Sequence, residues 1–119
     1  WTRAIRAREN ALRFDAKRKE TRLLLGWTYF MTNRFTEAIA TYRAVLTQSP
    51  DSEAHFSIGL AHIALGDTAT ATKIYADGIA QYGREQAETA KARDNLERLI
   101  SLGTQPETAR NLILRHFPD

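Results

Sequence analysis

Laid over itself at an offset of 33 residues, the stretch from Lys19 to Arg84 pairs like with like: Glu20 with Glu53, Gly26 with Gly59, Ala38 with Ala71, Tyr42 with Tyr75 and Gln48 with Gln81. Leu25 coincides with Ile58, and Leu46 with Ile79. Asn33 falls on Gly66, and both residue types tolerate the left-handed backbone of a tight turn. Repeats of this length built from two helices stack into solenoids, each hairpin burying its apolar face on the next, and solenoids mostly bind other proteins. Nothing in the repeat names the partner.

Punctuation along the chain divides it into one domain of four segments. Residues 1–18 place Ala4, Ala7, Ala11 and Phe14 at helical spacing, with Ile5 and Leu12 widening the stripe and Arg and Lys on the other faces, as in a basic amphipathic helix. No Gly or Pro separates it from the next helix, so the two either run on or kink near Lys17 to Glu20. Residues 19–51 read as a first hairpin, turning at Thr32-Asn33-Arg34 and closed by Ser49-Pro50-Asp51. Residues 52–83 repeat the plan, turning at Gly66-Asp67 and ending at Gly83. Residues 84–119 keep only a degenerate hairpin: one helix over 85–102 with Ala92, Leu96, Leu99 and Ile100 on a stripe, a stop at Gly103, and a last helix carrying Ala109, Leu112 and Ile113. The start of that helix, Thr104-Gln105-Pro106-Glu107, fits a capping box with Pro in the first turn. A charged outer face on this last unit suits a terminal cap.

Charge is distributed unevenly. The net charge is +3, yet the first 22 residues hold eight Lys or Arg against three acids. Arg3, Arg6, Arg8, Arg13, Lys17 and Arg18 form a candidate basic patch for phosphates or anionic lipid headgroups. Glu9, Asp15 and Glu20 each have a basic residue three or four positions away, which favours a solvated helix face and argues against nucleic acid as the partner. No run approaches the roughly 20 apolar residues that span a bilayer, so the segment reads as soluble, either cytoplasmic or the soluble part of a membrane-anchored protein. It begins at Trp1 without a secretory signal, and is read as excised or processed from something longer, leaving upstream membrane proximity open. There is no cysteine, which excludes disulfides and thiolate chemistry.

The two hairpins resemble the tetratricopeptide repeat family. Leu25-Gly26, Tyr29, Phe35, Ala38, Tyr42 and Pro50 stand at that motif's spacing in the first, and Ile58-Gly59, Gly66, Ala71 and Tyr75 in the second. The resemblance implies an all-α fold: a right-handed superhelical α-solenoid of helix hairpins with a degenerate C-terminal capping hairpin. Arg22 and His55 replace the family's first-helix Trp, His62 stands where an aromatic is usual, Val45 and Gly78 replace a small Ala, and Gly83 replaces the closing Pro. The resemblance further implies a concave groove lined by the first helices of successive repeats. Leu23, Trp27, Phe30 and Met31 of the first unit and Phe56, Leu60 and Ile63 of the second would face it, with Glu20 and Glu53 at one edge. The Lys, Asn and Arg with which one variant of the family grips acidic chaperone tails are missing from these faces. The expected ligand is instead an apolar or amphipathic helical segment of another protein. A patch this apolar also invites cover by the chain's own terminal helices or by a second copy.

Catalysis and metal binding find no candidates. His55 and His62 lie seven apart on one helix, about 10 Å at a rise of about 1.5 Å per residue, too far to share a metal, and His116 is remote in sequence. Asp94 and Glu97, or Glu85 and Glu88, neighbour one another but sit among Lys91, Arg93 and Arg98, as on a solvated face. No phosphate loop and no nucleophile with motif context is present. The expectation is a scaffold that is not an enzyme and needs no cofactor, with self-association or anionic-surface attachment as the alternatives.

Overall fold

The computed structural model describes residues 3–6 and 19–118. Among them the regular structure is all helical: α1 (Lys19–Met31), α2 (Phe35–Gln48), α3 (Ser52–Ala64), α4 (Thr68–Thr89), α5 (Ala92–Leu102) and α6 (Pro106–His116), with residues 3–6 also helical. Each helix packs on the next in sequence, which gives the layered solenoid of hairpins the repeat implies.

The offset of 33 is reproduced contact by contact. A Cβ built on Gly26 would lie 2.8 Å from Cζ of Tyr42, and one on Gly59 would lie 2.8 Å from Cε2 of Tyr75. Both tyrosines are buried, so each ring takes the space a side chain on the facing helix would need. The turns repeat as well. Arg34 N donates to the Tyr29 carbonyl at 2.8 Å, and Asp67 N to the His62 carbonyl at 2.9 Å. Asn33 and Gly66 hold positive φ of 63° and 86°, the left-handed stop of a Schellman end. Gly103 ends α5 the same way, with Thr104 N reaching the Leu99 carbonyl.

Polar residues at the family's Trp position find a common use. Arg22 donates to the Ala44 carbonyl at 3.4 Å, and His55 Nε2 lies 2.8 Å from the Ile74 carbonyl. Each crosses from the first helix of its hairpin to the backbone of the second. Gly78 has a different role: a Cβ there would meet Phe56 Cε1 at 2.6 Å and His55 Cδ2 at 2.8 Å, so the missing side chain is what admits both rings against α4.

Asp51 joins three elements. Its carboxylate accepts from Ala54 N at 2.9 Å, capping α3, and pairs with Lys19 Nζ at 3.2 Å, while its own N–H donates to the Tyr82 hydroxyl at 3.1 Å. Asp51→Ala should cost about 1–2 kcal/mol in a urea melt, the scale of a lost N-cap. Asp51→Asn keeps the cap and should cost only a few tenths, because Lys19 is half exposed and its ion pair is screened.

The C-terminal unit departs from expectation at two points. The helix foreseen over 85–102 is split: α4 runs on to Thr89 past non-helical backbone at Gly83 (φ 84°, ψ 163°), and α5 starts only after Lys91, whose φ is 64°. The capping box is not formed either. Gln105 precedes α6 in the left-handed region with no side-chain cap bond, and Pro106 opens the helix alone. The third hairpin is thereby shifted out of the 33-residue register, and α5 lies back against both α3 and α4.

At the other end Ile5 is buried within the core cluster. It stands 33 residues before Ala38 and 66 before Ala71, both also buried. The offset therefore reaches back into the segment set apart as a basic helix.

Candidate functional site

The first helices of the hairpins, α1 and α3, meet the α4–α5 junction around a cavity of about 470 Å³. Three consecutive leucines in α1 cannot all face inward: Leu25 is core, Leu23 is half-buried, and Leu24 is 49% exposed. Leu23, Leu24 and Trp27 make the apolar wall, the Tyr42 and Ser57 side chains contribute to the lining, and Ala90, Lys91 and Asn95 form the opposite side. Burial pushes the Tyr42 phenol well above its ordinary pKa, and the neighbouring Ser57 hydroxyl opposes the rise. Glu20 and Glu53 complete the rim.

Towards the C-terminal end of α1, α5 crosses the same face. The Arg98 guanidinium lies 5.7 Å from the Trp27 ring and donates to Met31 Sδ at 3.5 Å. Trp27 is stacked on Phe30 at 5.4 Å, and Phe30 meets the edge of Phe35. Beyond Arg98 a second cavity of about 330 Å³ opens between Phe30, Met31, Phe35, Leu99 and Leu102. Arg98→Ala should uncover Trp27: in a Trp1→Phe background, acrylamide should quench its fluorescence more strongly while the melting point moves little. Equal quenching would mean that Arg98 does not cover the ring.

The sequence-predicted groove residues thus have different fates. Leu23 and Trp27 line the first cavity; Phe30 and Met31 line the second. Phe56, Leu60 and Ile63 are 2%, 1% and 0% exposed and form part of the core. Phe56 turns toward its own hairpin, meeting Tyr75 and Tyr82 at 5.6 and 6.4 Å between ring centroids, and α5 packs on α3. Leu24, Lys91 and Asn95 line the cavity but were not expected there. The leucine run signals Leu24; nothing local signals the other two, which arrive by the folding back of the C-terminal unit. Of the basic patch, Arg3 and Arg6 are exposed, while Arg8, Arg13, Lys17 and Arg18 lie outside the described residues.

The tetratricopeptide repeat model matches residues 1–53 and again residues 23–85. The chain belongs to the tetratricopeptide repeat family. The match takes in residues 1–18, in agreement with the buried place of Ile5 one repeat length before Ala38. No curated protein and no solved structure gives a significant match. Tetratricopeptide repeat domains generally mediate protein–protein interaction and are typically non-enzymatic scaffolds. Two histidines of this one are packed at a helix contact and a turn: His55 as described, and His62 with Nδ1 3.4 Å from Asp67 Oδ2. No helix among the described residues is long and apolar enough to cross a membrane.

Proposed function

We propose that this tetratricopeptide repeat domain is a scaffold module that seats an apolar or amphipathic helical segment of another protein in the cavity between α1, α3 and the α4–α5 junction. The observation that carries the reading is Leu24, a large apolar side chain half in solvent beside Leu23 and Trp27 at the mouth of an open cavity. Burying such a cluster is a hydrophobic gain that a helix presenting side chains at i, i+3, i+4 and i+7 can supply.

The test is a titration of amphipathic helical peptides into the full chain. Leu24→Asp, which sets a charge in the mouth without disturbing a buried contact, should abolish binding and leave the melt unchanged. Binding unaffected by Leu24→Asp would move the site elsewhere. Self-association through the same face predicts instead a mass that rises with concentration and falls back with Leu24→Asp. Attachment to an anionic surface through Arg3 and Arg6 predicts vesicle or nucleic-acid retention that vanishes with salt and ignores Leu24.

A further inference from the structure

Resting on that reading, we infer that the ligand is a basic amphipathic helix, whose Lys or Arg is seated between Glu20 and Glu53 while its apolar face lies on Leu23, Leu24 and Trp27. The two glutamates occupy equivalent places in the two repeats and share one rim of the cavity. Neither has an ion-pair partner among the described residues. Lys19, the cation nearest Glu53 in charge influence, is engaged by Asp51 at 3.2 Å. Burial raises the Glu53 pKa, the Asp51 carboxylate adds to the rise, and Lys19 opposes it. The cavity is therefore lined by two carboxylates, Glu20 and Glu53, against the single cation Lys91, and at Glu53 the surroundings disfavour the charge. A ligand cation would relieve that imbalance.

Position along α1 adds an orientation. Glu20 precedes Trp27 by seven residues, two turns and about 10 Å at a rise of about 1.5 Å per residue. Arg98 closes the face beyond Trp27. The face is thus acidic at one end and basic at the other, and the bound helix lies with its cation toward the start of α1 and its bulky apolar side chain one to two turns away. Complementarity of this kind sets partner choice and register more than raw affinity.

Three helical peptides of one apolar stripe, carrying Lys, Gln or Glu at the position one to two turns from the anchor, separate the inference from the reading beneath it. The Lys peptide should bind the full chain about tenfold tighter than the Glu peptide at low salt, with the gap narrowing at about 1 M salt, where the Debye length is about 3 Å. The gap should close in Glu20→Gln/Glu53→Gln, whose melt should match that of the parent. Equal affinity of all three peptides, each lost with Leu24→Asp, overturns the charge inference and leaves the apolar site standing. Binding indifferent to Leu24→Asp overturns both. No peptide binding, with a concentration-dependent mass abolished by the double substitution, makes a second copy of this chain the occupant and also overturns the inference. No binding and no self-association overturns the inference as well.

Discussion

A leucine at Gly59 should destabilise the protein by about 3 kcal/mol, the upper part of the usual range for an overfilled core. The first carbon added would already stand 2.8 Å from Tyr75 Cε2 and 3.1 Å from Ile74 Cγ2. Tyr75 has little room to withdraw, because it is fully buried and its ring also packs against Phe56 at 5.6 Å. Gly66→Ala provides the contrast. Its nearest neighbour would be Gln105 Nε2 at 3.8 Å, so its cost should be about 1 kcal/mol and arise from the positive φ alone. Urea melts of the two variants should differ by about 2 kcal/mol. Similar losses would show that the close approach of α3 and α4 is not what the glycine protects.

Trp27→Ala should cut partner binding by about 2 kcal/mol or more, the threshold of an interface hot spot, while lowering fold stability much less than Tyr42→Ala. The two rings differ in surroundings. Trp27 is half-buried, with a face on Phe30 and a guanidinium over it. Tyr42 is 1% exposed and fills the notch at Gly26. Its truncation leaves a cavity, a loss of about 3–5 kcal/mol. Affinity and melting point measured on both variants decide the matter. If Trp27→Ala unfolds the chain while Tyr42→Ala does not, the stripe on α1 is core and the ligand binds elsewhere.

What the sequence made legible was whatever the repeat encodes twice. The pairing of Gly26 with Gly59 and of Tyr42 with Tyr75 foretold two matching close approaches, and Asn33 over Gly66 foretold two matching turns. The single-copy features were not legible. No Gly or Pro marks the break at Lys91, where a lysine takes a left-handed conformation that tertiary packing must support. The capping box at Thr104 was a local preference overridden by the left-handed Gln105. α5 comes to rest on α3, whose Leu60 and Ile63 are deeply buried, and that contact joins segments roughly 35 residues apart in the chain, which no short-range periodicity reports. For the cavity, the apolar wall could be read from α1 alone, but its far side could not, since Lys91 and Asn95 reach it only through that same folding back.

The accommodation of Phe56 by Gly78 has a bearing on descent. Three positions share one volume, since a Cβ at 78 would meet Phe56 Cε1 at 2.6 Å and His55 Cδ2 at 2.8 Å, so an alanine at 78 needs room from both rings. Related sequences should therefore keep Gly at 78 wherever large rings stand at 55 and 56, and take Ala there only where both have become smaller. Where that linked exchange is found, it marks the lineages in which the second hairpin closed around its own aromatic rings.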